Sequence, residues 1–124
     1  MARKTAINLM QGAFVMGGLL VASPVAAGTL RCDIATKNFC DADHGCNVTK
    51  AGVHNLIDLT LKTFARCDSM GCDTYDAEIT KSGSFSNIDV PGRGVVAKLN
   101  EIDGSFVEIV TLMTQVYVSF GKCQ

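Results

Sequence analysis

The residues with the most chemistry in this 124-residue sequence are its six cysteines, Cys32, Cys40, Cys46, Cys67, Cys72 and Cys123. Thiolates can bind zinc, act as nucleophiles, or oxidise in pairs, and spacing and compartment decide among these. Zinc sites are built from closely spaced, reduced cysteines. Here the short spacings are x5 (Cys40 to Cys46) and x4 (Cys67 to Cys72), and the leader described below points to an oxidising compartment. No C-x-x-C redox pair occurs. An even number of cysteines in a short exported domain reads as three disulfides. Both Cys40–Cys46 and Cys67–Cys72 are C-D-…-G-C segments closing on a glycine-containing turn, so the expected pairs are 40–46 and 67–72, leaving Cys32 with Cys123.

Other reactive types are sparse. The two histidines, His44 and His54, have no G-x-S-x-G elbow to serve, and a nucleophile–base pair needs an oriented histidine. Asp41-x-Asp43-x-Gly45 has the first spacings of a calcium loop but lacks the later oxygen ligands and closing Glu, so these residues read as an acidic turn. Gly92-Arg93-Gly94 follows Pro91 between two strand-like segments and reads as a tight hairpin, since a phosphate loop opens a helix. Asp76 and Glu78 share one face of an alternating run, with Asp73 close by, and that face points to water. The expectation is a non-enzymatic protein with no metal and no cofactor.

The elements that must position these residues begin after a leader. Arg3 and Lys4, the apolar run Ala13–Ala22, Pro24 and the ending Val25-Ala26-Ala27 read as a signal peptide cleaved after Ala27. The apolar run is too short to span a bilayer, which takes about 20 residues. Residues 1–27 are therefore the expected leader and 28–124 a single exported domain, periplasmic or secreted, without stable membrane insertion after cleavage. That domain carries nine basic and twelve acidic residues, a balance that argues against nucleic acid as the partner.

Within the domain the apolar pattern has mostly period two, the mark of half-buried strands. Ile57, Leu59, Leu61 and Ala65 alternate with Asp58, Thr60, Lys62, Phe64 and Arg66. Strand is preferred over helix for Gly52–Phe64, whose apolar residues also partly fit a 3.6 period. Tyr75, Ala77 and Ile79 alternate with Asp76, Glu78 and Thr80. Further strands are expected at 84–90, 95–100, 106–113 and 116–120, with Asp103-Gly104 as the strongest hairpin signal, and two more near 29–33 and 46–50. The predicted fold is all-β, a small antiparallel meander of seven or eight strands closed into a barrel or sandwich and stapled by three disulfides. A Cys32–Cys123 bridge would set the first and last strands side by side. The run 106–113 is apolar on both faces, which places it at the centre of a two-layer core or at an interface; the central position is the expectation.

In size, export, disulfides and strand count the chain resembles small secreted β-barrel proteins such as the bacterial lysozyme inhibitors, which block a basic enzyme with an inserted loop. The resemblance implies a protein-binding role and carries no residue over. The expected function is an exported interaction module, inhibitor- or adaptor-like, acting on another secreted or envelope protein as a monomer or small homo-oligomer. Its expected surface is the acidic end around Asp68, Asp73, Asp76 and Glu78 together with the loop Pro91, Gly92, Arg93 and Gly94. The alternatives are a carrier of a small apolar ligand and a structural subunit of an envelope assembly.

Overall fold

The computed structural model describes residues 28–124; the expected leader lies outside them. The described residues are all-β, and their single antiparallel sheet is nearly closed into a barrel. The strands are β1 Thr29–Asp41, β2 Gly45–Thr49, β3 His54–Asp58, β4 Thr63–Asp68, β5 Gly71–Asp76, β6 Glu78–Ser82, β7 Phe85–Val90, β8 Val95–Asn100, β9 Ser105–Leu112 and β10 Gln115–Cys123. They lie in the order β5-β4-β3-β1-β10-β9-β8-β7-β6, with β2 pairing a second stretch of β1. Ten strands replace the seven or eight expected. Two causes account for it: β5 and β6 are one run of chain broken only at Ala77, and the run expected as a single strand around Ile57–Arg66 is a hairpin.

That hairpin has a local cause. Asp58 Oδ1 accepts the backbone N–H groups of Thr60 (2.9 Å) and Leu61 (2.8 Å), and Lys62 sits at φ 55°, so the chain reverses between Asp58 and Thr63. Reversal changes which residues share a face. Phe64, which the unbroken alternation set beside Asp58 and Lys62, is buried opposite Ile57. The same side-chain device closes other turns. Asp41 Oδ1 accepts from the N–H groups of Asp43 and His44, Asp68 Oδ1 from Met70, Asn100 Oδ1 from Ile102 and Asp103 Oδ1 from Ser105. Asp41 is thus used by its turn, as an acidic turn residue should be.

All three disulfides have the expected partners: Cys32–Cys123, Cys40–Cys46 and Cys67–Cys72. Each joins directly opposed residues of an antiparallel pair. Cys32–Cys123 ties β1 to β10 at the middle of the sheet order and is buried with Ile34, Ile57, Phe64, Ile88, Val90, Leu99 and Phe106 in one cluster inside the barrel. Beyond residue 36 the paired ends of β1, β2 and β10 extend past that cluster, and none of their side chains is buried there apart from Ser119.

The sector around β9 departs from expectation. Its inward residues are Phe106, Glu108 and Val110, and its outward residues Val107 and Ile109 have no second layer over them among the described residues. The expected place at the centre of a two-layer core is therefore not found.

Two predictions follow from this architecture. Replacing Cys32 and Cys123 by alanine should lower the unfolding free energy by about 4–5 kcal/mol, and replacing Cys40 and Cys46 by about 2–2.5, because loop-closure entropy grows with the enclosed chain; urea titrations would check the ranking. The second concerns acid. Hydrogen bonds from Lys81 and Ser86 hold the Glu101 carboxyl below its ordinary pKa, and a backbone N–H bond from Ser105 does the same for Asp103. A depressed carboxyl favours the folded state when ionised, so this stability is present above the ordinary carboxyl range and is lost as pH falls through the folded values. The urea midpoint should drop between pH 5 and pH 3, and less steeply in the Glu101→Gln variant.

Candidate functional site

Because β1 and β10 pair in the middle of the sheet, the ends of its nine-strand path fall at β5 and β6, which follow each other with only Ala77 between them, while β2 pairs with β1 alone. Below Ala77 the run is paired on one side with β4; above it, on the other side, with β7. The Ala77 N–H still donates to the Lys62 carbonyl (2.9 Å) and its side chain is buried, so the crossing is pinned. Among the described residues no strand pairs with the remaining edge of β5 or of β6.

The gap beside β5 is a groove of about 460 Å³, lined by Thr74–Glu78 on one wall and by Val90, Pro91 and Arg93 on the other. Its second wall is a rigid turn. Pro91 presets φ at the first corner, Gly92 supplies φ 75° at the next, and the Arg93 N–H donates to the Val90 carbonyl (3.2 Å), the pattern of a type II turn. Gly94 follows at φ 63°, where a Cβ would run into the Thr111 carbonyl oxygen; in return Thr111 N–H donates to the Gly94 carbonyl (2.7 Å). The turn is locked to β9 and holds the Arg93 guanidinium 4.8 Å from the centre of the Tyr75 ring, within cation–π range.

Of the residues expected at a binding surface, Asp76, Glu78, Pro91 and Arg93 meet at this groove, with Gly92 and Gly94 shaping its turn. Asp76 and Glu78 share an outward, exposed face on either side of Ala77. Asp68 does not join them. It pairs with Gly71 at the far end of β5, about 17 Å away at 3.4 Å per residue, and its carboxylate is engaged in the turn. Asp73 pairs with Arg66, one strand face away from Asp76.

A shallow groove of about 520 Å³ on the outer face of β6–β9 shares Glu78 with the first. Its floor is apolar. Val96, Ile109 and Val118 are neighbours along one cross-strand row, and Val107 and Phe120 along the next. Val96 is 46% exposed, Ile109 37% and Phe120 48%. Glu78 and Asp89 continue the first row and Lys98 the second. An apolar centre with a charged rim is the anatomy of a protein interface. Sequence reasoning did not assign these residues; the two-faced apolar run 106–113 was their signal.

Behind this face one inward row is mostly polar. Ala97, Glu108, Ser119 and Lys37 form that row. Glu108 is 1% exposed; its Oε2 accepts from Asn55 Nδ2 (2.9 Å), and its Oε1 lies 3.8 Å from Arg66 Nη1. Asn55 Oδ1 and Glu108 Oε1 are buried without a hydrogen-bond partner. Burial holds the Lys37 amine below its ordinary pKa, the Arg66 guanidinium acts in the same direction, and Glu108 opposes them. Lys37 also stands 4.6 Å from the centre of the Tyr117 ring, which packs on Phe39.

His54 and the sulfurs of Cys67 and Cys72 lie within 4.8 Å of one another. The two sulfurs are bonded to each other, so they offer no thiolate and the trio is not a metal centre while the disulfide stands. No protein-family model, curated protein or solved structure matches the chain.

Removing the cation nearest to a buried carboxylate leaves that charge uncompensated. Arg66→Ala should therefore destabilise the protein by about 1–3 kcal/mol, less than a fully buried, hydrogen-bonded pair would lose because Arg66 is partly exposed and lies 3.8 Å away, read by urea titration. A loss within experimental error would mean that Asn55 and Lys37 alone support Glu108.

Proposed function

We propose that this is an exported, non-enzymatic binding protein that acts by docking another secreted or envelope protein on the face running from the β5–β6 gap across the outer side of β8–β10. One observation carries the reading: Val96, Val107, Ile109, Val118 and Phe120 form one contiguous, partly exposed apolar patch on the outer face of β8–β10, with the buried polar side chains of Glu108 and Ser119 in the row behind it. Contiguous exposed apolar surface of this kind marks interaction sites. The rim of Asp76, Glu78 and Asp89 adds selectivity for a partner with basic residues around an apolar patch, and charge of that sort sets specificity and association rate more than raw affinity.

Three disulfides are consistent with an oxidising extracellular compartment, and no helix among the described residues is long and apolar enough to cross a membrane. The carrier reading has less support, because Ile57, Phe64, Ile88 and Leu99 pack together in the barrel interior. The outward apolar face also favours the structural-subunit reading, in which the same surface would be covered permanently within an assembly.

The test is affinity retention from the exported fraction with four forms of the protein: wild type, Ile109→Lys, Asp76→Lys/Glu78→Lys, and Met70→Lys as a control on the exposed β4–β5 turn. The expected result is a stoichiometric partner retained by wild type and Met70→Lys, weakened by salt because the rim is acidic, and reduced at least about tenfold by Ile109→Lys, the size of a 1.4 kcal/mol loss. Retention equal in all four forms would overturn the reading, and so would no retained protein in any.

A further inference from the structure

Resting on that reading, we propose that part of the partner is recognised by strand addition: an extended segment carrying lysine or arginine at alternate positions pairs antiparallel with β5, in the gap between β5 and the Pro91–Gly94 turn.

The backbone of β5 is set up for this by the Cys67–Cys72 bridge. The Cα atoms of this pair are 4.0 Å apart, which fits the close, non-hydrogen-bonded kind of antiparallel pair (about 4.5 Å) and not the hydrogen-bonded kind (about 5.5 Å). In such a pair both residues turn N–H and C=O away from each other. Cys72 therefore presents its backbone groups to the gap, and by the two-residue period so do Thr74 and Asp76, whose partners across β4 are Ala65 and Thr63. The odd-numbered residues bond to β4, and the Ala77 N–H to Lys62 C=O contact continues that series. Three consecutive donor–acceptor sites thus line one side of the gap.

The missing strand has a defined position. β7 pairs with β6 as far as Asp89 opposite Glu78. Two more steps of that register would set Pro91 opposite Asp76 and Arg93 opposite Thr74. Pro91 cannot donate to a ladder, and the type II turn takes the chain away, so the line of β7 stops where the unpaired groups of β5 begin. A guest strand in line with β7 would complete the ladder, the general mode of β-augmentation. Entry moves one side chain, because Arg93 spans the gap through its contact with Tyr75.

Charge selects the guest. Residues directly opposite each other in an antiparallel pair share a face, so guest residues across from Cys72, Thr74 and Asp76 point outward beside Asp76 and Glu78. Those positions favour cations. A second copy of this chain offering its own β5 edge would bring Asp73 and Asp76 and no cation to the joint, so it lacks the charge that these positions favour. The occupant is accordingly a segment of a different protein.

The same geometry fixes which guest backbone groups bond. The outward-facing guest residues are those opposite Cys72, Thr74 and Asp76, so their amides make the hydrogen bonds, and the intervening amides do not. The test uses a decapeptide of alternating lysine and valine with the intact, oxidised protein, read by amide hydrogen exchange. The expected result is exchange slowed at least about tenfold at Cys72, Thr74 and Asp76. Methylating the backbone nitrogens of the lysines should abolish that protection, methylating those of the valines should not, and replacing lysine by glutamate should remove it. Equal protection by both methylated peptides, or binding that leaves these three amides at their free rate, would overturn strand addition. A partner retained in an Ile109-dependent way that leaves them unprotected would also overturn it while leaving the broader protein-binding reading intact.

Discussion

The antiparallel pairing of β1 with β10, fixed by the buried Cys32–Cys123 bridge, is the constraint on which the rest of the molecule depends. A meander whose first and last strands pair has joined those two strands in the middle of the sheet. The sheet must still have two edges, and they are displaced to wherever the remaining strands fail to meet. Here that place is the run 71–82, which serves β4 with its first half and β7 with its second. Closing the barrel through one shared strand reduces the exposed edge of the nine-strand path to two short gaps, and among the described strands β2 keeps a further unpaired side. Full closure alone removes edges, and this chain stops slightly short of it.

Why it stops short is visible in the turn after β7. Pro91 removes a backbone donor at the point where the ladder would have to continue, and Gly92 and Gly94 then supply the positive φ values that carry the chain into β8. The turn is held at its base by β9 through Gly94 and Thr111. Its position is therefore a property of the sheet and not of a mobile loop. A gap bounded by a pinned turn and a disulfide-anchored strand loses little conformational entropy when something binds in it, and that low ordering cost is the general advantage of a preorganised site.

Much of this was legible in the residues. The C-D-…-G-C spacings identified two hairpin disulfides and, by remainder, the closing bridge. The strands expected at 84–90 and 95–100, placed between glycine-marked turns, are observed at Phe85–Val90 and Val95–Asn100. The run Ile57–Arg66 was misread because Leu59 and Leu61 keep the alternation going straight through a turn. What reverses the chain is the Asp58 carboxylate capturing two amides, a local bond that a hydropathy pattern does not weigh. Asp76, Glu78, Pro91 and Arg93 were singled out on charge and turn chemistry, and a register set from far away in the sequence brings them together. Asp68 looked equivalent by type, but its carboxylate closes its own turn. The two faces of β10 were separable in sequence, with Val116, Val118 and Phe120 on one and Tyr117 and Ser119 on the other; which of them faces inward was not. That choice is settled by the adjacent strands, since Ser119 lies in the inward row between Glu108 of β9 and Lys37 of β1.

The acidic residues along the β5–β6 run admit two functions that are often treated as rivals. Charges on an edge strand disfavour pairing with copies of itself, and Asp73, Asp76 and Glu78 set three exposed carboxylates along this one. A protein that must leave three backbone sites open for a partner needs this protection more than one whose edges are covered. The charge that disfavours a second copy is also what favours a cationic segment, because discrimination is a difference of affinities. On this argument the acidic edge is neither an incidental solvated surface nor a separate binding patch. If β5 takes a guest strand as proposed, it is the feature that would keep that strand available in a sheet whose first and last strands are already paired.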